Sequence, residues 1–122
     1  MAYRGDDTTG FQSPAQDHIE QVVDLAQILD LRRPGIYAVR VDGNECRARG
    51  IHHRDILIVN AAEEPKAGKV CVAFLHGDVI LAVLSRDDGG GWLLSSDRSP
   101  PCPVNDEVEI WAIITALVRT EV

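Results

Sequence analysis

Apolar runs from Ile36 onward are short and are separated by turn residues, a pattern that is typical of β proteins. Six of these runs predict strands, at residues 36–41, 55–59, 70–75, 79–84, 92–94 and 109–118. Turn-forming residues lie between them, at residues 42–44, 63–68, 76–78, 87–91 and 99–103. The chain is therefore expected to have a mainly β fold.

The residues before Ile36 predict a short N-terminal helical segment instead. Ser13 and Pro14 suit the N-cap and the first helical position, and Gln16 completes a capping box. Apolar residues then recur at helical spacing, at Ile19, Val22, Val23 and Ala26. Asp24 and Gln27 repeat the capping pattern, so we expect two short helical turns or one bent helix.

The length and charge of the chain limit its domain count and its partners. The 122 residues are enough for one domain with a buried core, and we expect residues 1–9 to be a flexible arm and residues 10–122 to form that domain. A formal charge of −7 argues against strong direct binding of nucleic acid, because phosphate binding needs clustered lysine and arginine. Any role on DNA is therefore expected to act through a partner protein.

Three cysteines, Cys46, Cys71 and Cys102, form no C-x-x-C motif, so a reduced, cytoplasmic protein is the simplest interpretation. The first ten residues, MAYRGDDTTG, lack the apolar core of a signal peptide. The longest apolar run, residues 110–118, is about half of the ~20 residues that a membrane-spanning helix requires. No membrane span is predicted.

Residues 37–60 read YAVRVDGNECRARGIHHRDILIVN: a strand, a loop turned at glycine and a dense apolar strand. A predicted hairpin follows at residues 70–84. This series resembles the LexA/UmuD family of self-cleaving proteins, and the resemblance extends over residues 10–119. It implies a signal-peptidase-like β domain with a short N-terminal helical segment, and no cofactor is expected.

In that family a serine in a Gly-Asp-Ser-Met loop is the nucleophile, and a lysine on the second hairpin strand is its general base. The corresponding loop here reads Gly-Asn-Glu-Cys, so Glu45 stands at the serine position and Ala82 at the lysine position. The conclusion does not depend on the alignment register. No serine lies between Ser13 and Ser85, and the lysines of the chain are all at residues 66 and 69. The resemblance thus implies a degenerate peptidase that is not an enzyme.

The segment GFQSPAQDHIEQVVDL at residues 10–25 is similar to the segment that follows the self-cleavage site in the family. The bond that corresponds to the cleaved one joins Thr9 to Gly10, and nine residues precede Gly10. The resemblance therefore implies a chain that is made already in the trimmed form.

Two alternative sites lie near Glu45. Cys46 could act as a substitute nucleophile with His52 or His53 as its base, although a surface or half-buried loop cysteine is the favoured interpretation. His52 and His53 could also bind a metal together with Glu45 or Cys46. Neighbouring residues of an extended segment point to opposite faces, so no metal site is expected.

Arg47, Arg49 and Arg54, together with the two histidines, form a basic cluster in an acidic chain. The cluster could contact a phosphate backbone or an acidic partner. A solvated loop balanced by the carboxylates of Asp42, Glu45 and Asp55 is the favoured interpretation.

The C-terminal strand is apolar on both faces if its side chains alternate. Ile110, Ala112, Ile114 and Ala116 would face one way, and Trp111, Ile113 and Leu117 the other. The resemblance implies that this segment forms a homodimer through Ile110, Trp111, Ala112, Ile113, Ile114 and Leu117. A central strand of a monomeric sheet is the alternative.

The resemblance implies a non-catalytic homodimer that serves as accessory subunit of a Y-family, UmuC-type translesion DNA polymerase in the SOS response. A RecA filament is a further partner that it suggests. A rearranged self-cleaving peptidase that uses Cys46 is one alternative. A dimerisation module that antagonises LexA/UmuD-type repressors is another.

Overall fold

The structure is a computed structural model that describes residues 21–121. It has a short helix, α1 (Leu25–Ile28), and a 3₁₀ helix at Arg47–Arg49. The strands are β1 (Ile36–Arg40), β2 (Ile56–Asn60), β3 (Val70–Leu75), β4 (Asp78–Arg86), β5 (Trp92–Ser96), β6 (Ser99–Pro103) and β7 (Val108–Val118). The predicted mainly β fold is confirmed.

Asp24 caps α1 as the sequence predicts, because its Oδ1 accepts a hydrogen bond from the backbone N–H of Ala26 at 3.0 Å. The rest of the predicted helical segment, including Ser13, Pro14 and Gln16, lies outside the described residues, as do residues 1–9 and the bond from Thr9 to Gly10. No helix in the described part of the chain is long and apolar enough to cross a membrane.

The seven strands form one antiparallel sheet in the order β1-β2-β7-β3-β4-β5-β6. The last strand along the chain, β7, therefore lies in the interior of the sheet and pairs with β2 on one side and with β3 on the other. Both of its edges are hydrogen-bonded within the protomer, and β7 contributes Ala112 to one buried apolar cluster and Ile113 to another, which explains why its sequence is apolar on both faces.

The turn between β3 and β4 is the tight hairpin that the sequence predicts. Leu75 pairs with Asp78, so His76 and Gly77 form a two-residue loop, with φ angles of 52° and 85°. Two positive φ values are the signature of a type I′ turn, which fits the twist of the flanking strands. This register places Ala82 opposite Cys71 of β3.

One strand contradicts the sequence analysis. Residues 99–103 were expected to form a turn, but they form β6, whose sequence is SPPCP. Proline has no backbone N–H to donate to a ladder, and this normally argues against a strand. The prolines are tolerated because, within residues 21–121, β6 is an edge strand that pairs with β5 alone.

Two bulges in β7 overturn the predicted alternation of its side chains. Trp111 is an extra residue opposite β3, since Ala112 pairs with Val72 and Ile110 with Ala73. Thr115 is likewise extra opposite β2. Each bulge shifts the side chains that follow it to the other face. As a result, Ile110 packs in the cluster of Ile113, whereas Ala112 packs with Trp111 and Ile114.

The sheet buries two apolar clusters. The first contains Val41, Cys46, Ile51, Leu57, Val59, Val70, Val72 and Ala112. The second contains Cys71, Ala73, Ala82, Leu84, Leu94 and Ile113. The loop between β1 and β2 contributes Cys46 and Ile51 to the first cluster, so this loop is anchored in the core rather than projecting into solvent.

A bidentate ion pair joins Arg119, which follows β7, to Asp55, which precedes β2. Arg119 Nε lies 2.7 Å from Asp55 Oδ1, and Arg119 Nη2 lies 2.6 Å from Asp55 Oδ2. The same guanidinium donates to the carbonyl of Gly50 at 2.8 Å, and the backbone N–H of His52 donates to Asp55 at 2.7 Å. Arg119 and the His52 N–H together hold the pKa of the Asp55 carboxyl well below its usual range.

This ion pair predicts an acid-sensitive contribution to stability. A carboxyl whose pKa is lower in the folded state stabilises the fold above its unfolded-state pKa, near 4, and the contribution is lost as the pH falls further. Asp55→Asn should therefore lower the urea midpoint at neutral pH and flatten its dependence on pH below about 4. Urea unfolding followed by circular dichroism at several pH values measures both effects.

The matched control is Asp88→Asn, which removes one exposed carboxylate that has no hydrogen bond or ion pair within residues 21–121. It should leave both the midpoint and the pH dependence close to those of the wild type. An Asp55→Asn protein with the wild-type acid profile would contradict the role of this ion pair.

Candidate functional site

The loop that carries Glu45 is folded tightly on itself. Gly43 has a φ of 116°, and a Cβ atom at that position would lie 2.7 Å from Glu45 Oε1. The Glu45 carboxylate thus folds back over Gly43, and the positive φ of Gly43 favours glycine at this position. Cys46 follows directly and is buried, so it fixes the half-buried Glu45 at the edge of the core.

The turn between β5 and β6 holds this loop from the other side. The backbone N–H of Asp97 donates to the carbonyl of Glu45 at 2.8 Å. Asp97 Oδ2 accepts from the backbone N–H of Ala48 at 3.0 Å. Glu45 is therefore positioned by contacts with a segment about fifty residues away in the chain, which no local sequence pattern could reveal.

Two cavities meet at Glu45. The first has a volume of about 490 Å³ and an apolar wall that includes Val39, Leu57 and Trp111. The second has a volume of about 380 Å³ and is lined by both Glu45 and Ala82. The structure therefore brings together the two positions that the sequence analysis linked.

Serine side chains reach the second cavity, but lysine side chains do not. Its lining includes Ser95, Ser96, Ser99 and His76, and the lining of neither cavity includes a lysine. His76 Nε2 lies 3.4 Å from Glu107 Oε1, and within residues 21–121 no hydrogen bond joins His76 to any of these serines. The sequence analysis missed this set because it treated the β6 region as a turn; no signal in the sequence places these residues beside Ala82.

Cys46 is buried, which corrects the expectation of a surface or half-buried residue. Its exposed fraction is 1%. Burial, together with the carboxylates of Asp97 and Glu45, raises the pKa of the Cys46 thiol to about 11. No hydrogen bond joins Cys46 to His52 or His53 in the described part of the chain. A thiol in this environment is inert, since the thiolate is the nucleophilic form.

The two histidines support the loop. His53 Nδ1 accepts a hydrogen bond from the backbone N–H of Gly43 at 2.9 Å, and its own backbone N–H donates to Asn44 Oδ1 at 3.2 Å. An accepting Nδ1 is unprotonated, so the contact of the same atom with Asp42 at 3.8 Å is not an ion pair in that tautomer. Among residues 21–121, no group of three or more histidine, cysteine, aspartate or glutamate side chains could hold a metal ion.

The residues expected at a dimer interface differ in their accessibility. Ala112 and Ile113 are each 1% exposed within the single chain, so they belong to the core of the protomer. Leu117 is 37% exposed, and Ile110, Trp111 and Ile114 are half-buried. A surface that could meet a second copy is therefore centred on the end of β7 that carries Leu117.

Comparison with known proteins agrees with this architecture. The chain matches the peptidase S24-like family over residues 2–115. It is 28% identical over 110 residues to the protein SamA of Salmonella typhimurium, and the match covers 90% of this chain and 78% of SamA. It is 31% identical over 100 residues to the protein ImpA of Escherichia coli, with 82% of this chain and 63% of ImpA covered.

The LexA repressor of Bordetella pertussis is 33% identical over 110 residues, which are 88% of this chain and 50% of the repressor. The chain thus spans about half the length of that repressor and a larger share of SamA and ImpA. Since the family match covers nearly the whole chain and the fold is the expected β domain, the protein belongs to the peptidase S24-like family, the LexA/UmuD family that its loop and hairpin resemble.

Proposed function

We propose that this protein is a non-catalytic, UmuD-like homodimer that serves as a cytoplasmic accessory subunit of a Y-family, UmuC-type translesion DNA polymerase in the SOS response to DNA damage. The observation that carries the proposal is the pairing of Glu45 and Ala82 in one cavity. The resemblance implies that Glu45 stands at the position of the family's nucleophile and Ala82 at that of its base, and the chain matches the family over residues 2–115.

The side chains at this site do not supply serine/lysine chemistry. That mechanism needs a hydroxyl activated by a neutral, desolvated amine. Glu45 offers a carboxylate that folds back over Gly43, and Ala82 offers only a methyl group. The burial and the raised pKa of Cys46 also argue against a rearranged thiol peptidase.

Exposed apolar side chains support an interaction role. Leu117 at the end of β7, Tyr37 on β1 and Val79 on β4 are all exposed, and the exposed fractions of Tyr37 and Val79 are 51% and 65%. The rings of Tyr37 and Trp111 are tilted by 40° with their centroids 5.3 Å apart, so an aromatic pair extends from β7 to the edge strand β1. Aromatic residues are enriched at protein interfaces. One such surface would serve the second protomer and another the polymerase.

A second candidate function is a dimerisation module that restrains a LexA-type repressor by forming mixed dimers. The similarity to the LexA repressor of Bordetella pertussis, at 33% identity, favours it. It uses the same β7 surface as the homodimer, so the two candidates differ in the partner rather than in the interface.

We expect that the protein does not cleave itself. The intact mass should stay unchanged after incubation with an activated RecA filament or at alkaline pH, because removing the members of a catalytic unit removes nearly all of its rate. Mass spectrometry detects the product directly. A fragment that begins at Gly10 would contradict the proposal.

Introducing a serine at residue 45 and a lysine at residue 82 tests whether these two positions can form a serine/lysine site. Glu45→Ser with Ala82→Lys should cleave a supplied peptide of residues 1–20 slowly in trans, since the two side chains line one cavity. Each single variant is the matched control and should be inactive. Cleavage by Glu45→Ser alone would show that another group acts as the base and that Ala82 is not the relevant position.

The homodimer should form at micromolar concentration and strengthen with added salt, because its contact is apolar and each protomer carries a formal charge of −7. Leu117→Glu should weaken it at least about tenfold, equivalent to ~1.4 kcal/mol. Val79→Glu, at another exposed apolar site, is the control and should leave the dimer intact. Analytical ultracentrifugation measures all three proteins, and a monomeric wild type would refute the dimer.

The polymerase partnership requires its own experiment. The full chain, co-expressed with a UmuC-type polymerase, should co-elute with it in size-exclusion chromatography, and Leu117→Glu should reduce the complex together with the dimer. Co-elution with a LexA-type repressor but not with the polymerase would favour the second candidate. Failure to bind either, under conditions where the dimer forms, would contradict both.

A further inference from the structure

Tertiary contacts bring five exposed cations of three separate loops into one region of the surface. The cations lie on the connection between β1 and β2, which contains the 3₁₀ helix, on the connection between β2 and β3, and on the turn between β5 and β6. We call this region the basic face, and its members are Arg47, Arg49, Lys66, Lys69 and Arg98.

Arg49 links the first two loops. Its Nη2 donates to the carbonyl of Gly68 at 2.7 Å, so the guanidinium lies against the segment between Lys66 and Lys69. These two lysines are at the ends of a turn that is closed by a hydrogen bond from Lys69 N to the carbonyl of Lys66 at 3.2 Å. Both lysines of the chain therefore lie beside an arginine that is distant in sequence.

Asp97 links the turn between β5 and β6 to the connection between β1 and β2. Its side chain accepts from the backbone N–H of Ala48, and its own N–H donates to the carbonyl of Glu45. These bonds hold the turn that carries Arg98 against the 3₁₀ helix that carries Arg47 and Arg49. The face therefore exists only in the folded protein.

None of the cations of the basic face is joined to a carboxylate by an ion pair in the described part of the chain, although the Asp97 carboxylate lies beside the backbone N–H of Ala48, between Arg47 and Arg49. Within residues 21–121, none of the five forms an ion pair, and the four contacts of an arginine or a histidine with a carboxylate in this part of the chain involve other residues. Glu63 and Glu64 lie on the same connection as the lysines but pair with none of them. Asp55, which the sequence analysis expected to balance the arginines, is occupied by Arg119.

The composition of the face indicates the chemistry of its partner. The residues between the cations are small, such as Ala48, Gly50, Ala67 and Gly68, and the large apolar and aromatic side chains that form the centre of protein interfaces are not among them. Phosphodiester backbones, in contrast, can be bound by exposed arginine and lysine without large apolar side chains, and the guanidinium fork matches phosphate oxygens.

We infer that the basic face contacts the phosphate backbone of nucleic acid, independently of sequence. The remainder of the chain is acidic, so the binding is weak and depends strongly on salt, with a dissociation constant of roughly 10⁻⁴ to 10⁻⁶ M as for non-specific binding in general. The inference does not depend on the degenerate dyad or on the polymerase partnership. In a complex with DNA, the basic face would hold the protein against the phosphate backbone.

The test measures fluorescence anisotropy of a labelled oligothymidine and of a labelled duplex with the full chain, over a range of salt concentrations. The affinity should fall with salt along a log–log slope of about −0.7 per phosphate contact for the single strand. Arg47→Glu with Lys69→Glu should weaken binding at low salt at least tenfold and reduce the slope by about 1.4.

The matched control is Arg32→Glu with Arg33→Glu, which makes the same change in net charge at exposed residues next to α1. Equal losses in both double variants would mean that net charge alone governs binding, and this would overturn the inference. So would preferential binding of polyglutamate, which would identify an acidic polypeptide as the partner, or the absence of oligonucleotide binding at low salt. Circular dichroism and the dimer state of each variant establish that the fold is retained.

Discussion

The structure depends on the insertion of β7 between β2 and β3. Strands that are neighbours in sequence form two separate units, β1 with β2 and β3 through β6, and β7 is the strand that hydrogen-bonds to both. Such a non-local pairing has a large loop-closure cost, and the burial of Ala112 and Ile113 on opposite faces offsets it. Arg119 then binds Asp55 directly after the strand ends, which fixes the register of β7 against β2.

The position of the loop that carries Glu45 depends on the pairing of β7 with β2 and β3. Cys46 and Ile51 anchor the loop in the cluster that contains Ala112, and Asp97 attaches it to the turn between β5 and β6. The same framework places Ala82 on β4 at the wall of the adjoining cavity. The fold thus holds these two residues at one cavity, and neither of them is a serine or a lysine.

The charge distribution is likewise a property of the folded chain. The formal charge of −7 suggests a protein that repels nucleic acid, yet the arginine and lysine side chains of the basic face form no ion pair within residues 21–121. Local potential, rather than net charge, governs what a surface attracts within a Debye length of about 10 Å. If the proposed function holds, an acidic body with this basic face would orient the protein when it approaches DNA together with a partner.

The sequence by itself determined the features that local chemistry fixes. The apolar runs located six of the seven strands, the His76-Gly77 turn was evident from its residue types, and Asp24 was recognisable as a helix cap. The identities of Glu45 and Ala82 also follow from the sequence alone. Each of these features depends on residues close together in the chain, for which the intrinsic preferences of the residues are decisive.

Only the tertiary structure decided the rest. The strand SPPCP exists because β6 pairs with β5 at the edge of the sheet that residues 21–121 form, and the bulges at Trp111 and Thr115 arise from fitting β7 between two neighbours. The burial of Cys46 and the meeting of Arg49 with Gly68 depend on loops packing across the sheet. Such contacts join residues that are distant in sequence, and a pattern of period two or 3.6 contains no information about which distant segments will meet.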